Sequence, residues 1–128
     1  SIDIDGNDYW VLKNLNFDKI KVVCCEYNNW LGNNVKKTIP YNPDHQFIHD
    51  GCFGASLCAI TELLNLKGFD LIAIDSSGVN AFFVKKKFSN DFEILSPVKS
   101  FKSSNRFYSE EQVMKIHKCI KDFKFIEL

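Results

Sequence analysis

Apolar and polar positions change period several times along this chain, and each change marks an element. Ile2-Asp3-Ile4-Asp5-Gly6 alternates β-branched and acidic residues and stops at Asp-Gly, so it reads as a short strand entering a turn. A helix follows, with Asn7 as N-cap, Asp8 in the first turn and an apolar face of Val11, Leu12 and Leu15. Lys19 to Tyr27 carries Ile20, Val22, Val23, Cys24 and Cys25 in a near-continuous run, the pattern of a strand covered on both faces. Asn29 to Gly54 is irregular, with two prolines and three glycines. Its aromatics Trp30, Tyr41, Phe47 and Phe53 predict a loop that packs down as a lid or binding loop.

Periodicity returns at Ala55–Lys67. Ser56 caps this helix, Leu57, Ile60, Leu63 and Leu64 form its buried stripe, and Gly68 ends it. Phe69–Asp75 and Asn80–Lys85 are strands joined by a short turn around Gly78, which predicts an antiparallel hairpin. Lys86 to Tyr108 has no assignable period. A last helix starts at Ser109, with Gln112 completing a capping box and Val113, Ile116 and Ile120 forming its face.

Strand, helix, apolar strand implies a right-handed parallel crossover. Ligands of such sheets sit beyond the carboxyl ends of the strands. Asp5 and the group Glu26 to Asn28 occupy those two ends, so the crossover places acids together at the expected binding edge.

The chain has 128 residues, which bounds it to one domain. Sixteen basic and sixteen acidic residues cancel, which argues against a phosphate-backbone binder, and no nucleic-acid partner is expected. No apolar stretch approaches the ~20 residues of a membrane span, and no membrane partner is expected. Five cysteines without CxxC spacing read as reduced thiols of a cytoplasmic protein. Adjacent Cys24 and Cys25 point to opposite faces of their strand and do not pair there.

Ile2-Asp3-Ile4-Asp5-Gly6, a helix with Val11-Leu12-Lys13, and a strand ending in Glu26 together resemble the central segment of FkbM-type methyltransferases. The Gly68-Phe69 strand and Asn80-Ala81-Phe82-Phe83-Val84 are similar to that family's closing hairpin. The resemblance covers roughly residues 1–88. It implies an α/β fold, the C-terminal half of a Rossmann-like class I S-adenosylmethionine-dependent methyltransferase sheet, ordered strand-helix-strand-loop-helix-strand hairpin, with a C-terminal helix. Residues 1–88 would form the partial methyltransferase-like domain, and 89–128 an extension whose terminal helix packs on it.

The implied activity is O-methylation of a sugar or small-molecule acceptor in a full-length parent, with S-adenosylmethionine as cofactor. The family's glycine-rich cofactor loop and ribose-holding acid lie in the other half of its fold, and no GxGxG occurs here. A full domain of this type needs roughly 200 residues. The fragment is therefore expected to be inactive alone and to self-associate as a homo-oligomer through an exposed sheet edge. An inert α/β fragment or small oligomeric binding domain is the alternative.

Asp5 and Glu26 are the expected catalytic residues, with Asp5 orienting a hydroxyl or acting as base. Asp3, Gly6, Tyr27, Asn28, His49 and Asn80 are expected to line the acceptor pocket. Asp3 lies within its strand, where an acid needs a hydrogen-bond partner, and loop backbone is the expected one. Asp5, Glu26 and Asn28 are an oxygen-rich set suited to Mg²⁺ or Ca²⁺. Hydrogen bonding of that strand end to the next loop is preferred, and no residue is assigned as a metal ligand. His45, His49, Asp50 and Cys52 have the residue types of a zinc site, but Pro43 and the nearby glycines argue against the helix that His-x3-His spacing needs. Lys85-Lys86-Lys87 reads as a solvated strand end.

Overall fold

In the computed structural model, which describes residues 1–128, the chain is a small mixed α/β domain built on a three-stranded antiparallel sheet. Helix α1 (Asp8–Asn14) leads into β1 (Val22–Glu26), then a 3-10 turn at Asn29–Leu31 and the short β2 (Lys37–Thr38). Helix α2 (Leu57–Leu66), strands β3 (Phe69–Ile74) and β4 (Asn80–Lys85), the one-turn α3 (Pro97–Ser100), α4 (Glu110–Asp122) and β5 (Ile126–Glu127) follow. No helix is long and apolar enough to cross a membrane.

The sheet order is β1-β4-β3, with β4 antiparallel to both neighbours. The expected hairpin forms, and its returning strand lies against β1, with Glu26 opposite Asn80. The opening strand is reduced to a single parallel bridge between Ile2 and Cys25. Ile2 N–H donates to the Cys24 carbonyl at 2.9 Å, and Glu26 N–H donates to the Ile2 carbonyl at 3.1 Å. The parallel crossover is therefore present in its shortest form, and the chain leaves the sheet at Asp3.

Several elements follow their local chemistry. Ser56 Oγ accepts from Ala59 N–H at the start of α2, and the Leu57, Ile60, Leu63, Leu64 stripe is buried. The Ser109–Gln112 capping box is complete. Other expectations are corrected. Asn7 precedes α1 but its side chain makes no cap; it bonds the Asn42 backbone across the loop instead. The inward face of α1 is Asp8, Tyr9 and Leu12, while Val11 is exposed, because the helix runs only seven residues and its first turn faces the core. Strand β1 is not covered on both faces. Val23 and Cys25 are buried, whereas Val22 is exposed and Cys24 half-buried, since no helix covers that side fully. The 29–54 loop contains β2, whose antiparallel partner is β5 at the far end of the chain.

One core of 17 buried residues joins α1, α2 and the sheet, and Leu95 and Phe101 from the C-terminal part pack against it. Burying each Leu-sized side chain there stabilises the fold by about 1.5–3 kcal/mol. Residues 89–128 thus share the core of residues 1–88. A second, smaller cluster of Trp30, Phe53 and Ile116 seats α4 on the 29–54 loop. Gly51 makes this approach possible. Its φ is +77°, and a Cβ there would lie 2.6 Å from Ile116. All five cysteines are free thiols.

Candidate functional site

The segment from Asp3 to Gly6 turns away from the sheet and is held by Asp8. That carboxylate is buried and accepts from Ile4 N–H at 3.0 Å and from Gly6 N–H at 2.9 Å. A buried charge needs such donors, and two backbone amides supply them. The clamp also supports Asp5 in the left-handed region, at φ +51°, where a non-glycine residue is strained. Gly6 is closed from the other side by His45, whose ring would lie 2.6 Å from any Cβ at that position.

With the turn fixed, carboxylate oxygens of Asp3, Asp5 and Glu26 lie within 4.8 Å of one another. Asp3 and Asp5 accept no hydrogen bond from the chain. Asp3 is exposed, so the loop-backbone partner expected for it is not formed. Glu26 is half-buried, and its Oε2 is shielded from solvent without a partner. Burial, reinforced by Asp3, Asp5 and Asp8, pushes the Glu26 carboxyl up to about 8. Burial raises Asp3 as well, followed by the charges of Asp5 and Asp8. No cation is among the charges acting on Glu26, so burial first and like charge second hold its proton.

Glu26 also lines a cavity of about 260 Å³ with Trp30, Phe47, His49, Phe53 and Tyr108. Its walls are aromatic, and a polar edge comes from Asn29 and Ser104. Ser104 Oγ donates to Asn29 Oδ1 at 2.8 Å and ties the otherwise aperiodic 86–108 segment to this rim. His49 stands at φ +59° with its ring 4.7 Å from that of Phe47.

The remaining expected site residues are engaged elsewhere. Tyr27 is fully buried, and its hydroxyl donates to the Lys102 carbonyl at 2.8 Å. Asn28 donates to the Gly51 and Phe53 carbonyls at 2.8 Å each and accepts from Trp30 N–H. These contacts fold the 29–54 loop, as preferred for this strand end, and they take Asn28 out of any metal corner. Asp3 stands in its place. Asn80 sits opposite Glu26 in the ladder, but its amide donates to Asp75 in the hairpin turn at 3.4 Å. His45, His49, Asp50 and Cys52 do not converge. His45 covers Gly6, His49 lies on Phe47, and Asp50 accepts from Cys52 N–H.

Two residues that shape the candidate site have no such role assigned from the sequence alone. Asp8 reads there only as a helix-dipole acid. Its signal is position, because it shares a helical face with Leu12 four residues on and must therefore be buried. Trp30 reads only as one of four aromatics of a lid or binding loop, and it walls the cavity beside Glu26.

Comparison with family models, with curated proteins and with solved structures found no match to this chain.

Proposed function

We propose that the chain carries the acceptor-side half of an FkbM-like, S-adenosylmethionine-dependent methyltransferase, and that a full-length parent O-methylates a sugar or similar small hydroxylated metabolite. The observation that carries this reading is Glu26. It joins an acid pair at the carboxyl end of a parallel crossover to an aromatic cavity, and one of its oxygens is left without a partner. The order of elements supports it too: parallel pair around a helix, then loop, helix and antiparallel hairpin.

The residues here do not fit the cofactor itself. The six glycines include no GxG spacing, and the space over Gly6 is filled by His45. No step is therefore assigned to the cofactor in this chain. What these residues do is prepare an acceptor. The aromatic walls take the apolar face of a sugar ring. The acceptor hydroxyl donates to Glu26, Asp5 orients it, and Glu26 in its ionised form is placed to hold the hydroxyl proton. A carboxyl held near 8 is a stronger base than an ordinary one once ionised. Asp3, Asp5 and Glu26 offer oxygen ligands of the kind Mg²⁺ uses, which would supply charge stabilisation at the acceptor oxygen. A homo-oligomer would form beyond Ile2, where no further strand pairs.

The test is methyl transfer by the full-length polypeptide to a panel of hydroxylated acceptors. Glu26→Gln should lower the rate at least 100-fold and Asp5→Asn about tenfold. The wild-type rate should rise with pH toward about 8. Undiminished transfer by Glu26→Gln would overturn the assignment. The second reading, a non-catalytic binding domain, is favoured by the poor fit to the cofactor. It predicts acceptor binding to the aromatic cavity with no transfer.

A further inference from the structure

The largest cavity in the molecule belongs to neither the acidic corner nor the aromatic pocket behind it. It has a volume of about 560 Å³ and opens between the Asn29–Leu31 turn, the carboxyl end of α4 and β2. That volume falls within the roughly 300–1,000 Å³ usual for small-molecule sites. Its lining combines two chemistries. Trp30, Phe123 and Phe125 supply aromatic surface, while Lys37, Lys121 and Lys124 supply positive charge. No acid lines it.

Charge is concentrated here in a chain whose total is zero. Lys121 and Lys124 are exposed, and neither belongs to an ion pair. Lys37 is different. Its Nζ holds the Glu127 carboxylate at 2.8 Å, so an acid of this chain already occupies one of the three anion positions. Phe123 and Phe125 are half-buried, with ring centroids 4.7 Å apart, and form a tilted aromatic pair beside the lysines. Trp30 walls this cavity on one side and the Glu26 cavity on the other.

From this arrangement we infer that the cleft is a binding site for an aromatic anion of nucleoside-monophosphate size, its phosphate held by Lys121 and Lys124 and its ring by Phe123 and Phe125. Lysine ammonium groups bind phosphate as point charges. Aromatic rings bind a flat base without regard to its hydrogen-bonding pattern. Either group alone would be a common surface feature; the site is their meeting in one concavity. Glu127 then acts as an internal competitor, which a stronger anion displaces from Lys37. This inference is independent of the methyl-acceptor reading, because none of the acidic-corner residues takes part.

Calorimetric titration of adenosine monophosphate into the intact chain at low salt tests it. Inorganic phosphate and adenosine are the two partial probes. The nucleotide should bind at least tenfold more tightly than either. The double variant Lys121→Gln, Lys124→Gln, at exposed positions that leave the core untouched, should weaken the nucleotide at least tenfold. Glu127→Gln should strengthen it severalfold by freeing Lys37. Nucleotide binding no tighter than inorganic phosphate, or unchanged in the double lysine variant, would overturn the proposal.

Discussion

Two acidic turns of this molecule make a useful contrast. In the β3–β4 turn, Asp75 satisfies its own surroundings. Its Oδ1 accepts from Gly78 N–H at 2.8 Å and Val79 N–H at 2.9 Å, and its Oδ2 accepts from Asn80. The carboxylate is consumed by the turn it shapes. In the Asp3–Asp8 turn, Asp8 alone takes the backbone donors. Asp3 and Asp5 are left with none and converge on Glu26. The same residue types, Asp with Gly, build a structural turn in one place and a surplus of unpartnered carboxylates in the other. What separates them is where the donors go, and that is what makes the second turn the candidate site.

The sharpest way to break this contrast is to remove each turn's organising acid. Asp8→Ala should cost about 3 kcal/mol in urea denaturation, because it strips one buried and one part-buried amide of an acceptor that is itself buried. Asp75→Ala should cost about 1 kcal/mol, since its turn is partly solvated. Equal costs would mean that Asp8 does not organise the corner.

The next effect is on pH dependence. A carboxyl with a folded value near 8 and an ordinary value of 4.5 holds its proton more tightly in the fold. Between those values the unfolded chain has released a proton that the fold retains, so stability falls as pH rises through the window. Glu26→Gln should abolish that slope. At pH 8.5 it should be the more stable protein by about 1 kcal/mol, discounted for solvent screening at a half-buried group. Thermal melts from pH 5 to 9 read this directly. A slope that persists in Glu26→Gln would place the responsible group elsewhere.

The smallest effect concerns Asp3, whose charge faces Glu26. Asp3→Asn should shift the midpoint of that stability slope downward without removing it. The corresponding Asp75→Asn change should leave the midpoint in place, as Asp75 is not among the charges acting on Glu26.

Much of this corner is legible in the chain before folding. The period-2 start, the helix and the apolar strand imply a parallel crossover, which sets the opening segment beside Glu26, and the Asp8 clamp completes the approach of Asp5. Asp3 is not legible in this way: it reads as a strand acid bonded to loop backbone, whereas the chain leaves the sheet at Asp3 and turns its carboxylate toward Glu26. The surrounding shell is harder to read. Tyr27 and Asn28 follow Glu26 directly and have site-like chemistry, yet they are hydrogen-bonded to Lys102, Gly51 and Phe53. Such partners lie 23 to 75 residues away and leave no local pattern. The β2–β5 pair has the same difficulty, joining Lys37–Thr38 to Ile126–Glu127 near the end of the chain with two residues per strand. The 3-10 turns at Lys86–Asp91 and Asn105–Phe107 are too short to show a period. The aromatic cavity is foreshadowed only in outline, by a 29–54 loop that reads as a lid or binding loop and by His49; the contribution of Tyr108 and Ser104 appears only in three dimensions.

The central claim is that Glu26 is an unpartnered carboxyl held protonated by its burial and its acidic neighbours. Direct titration of its side-chain carboxyl carbon by ¹³C NMR, assigned through Glu26→Gln, tests this most closely. The account predicts a midpoint near 8. A midpoint in the ordinary glutamate range, near 4.5, would contradict it and reduce the corner to three solvated surface acids.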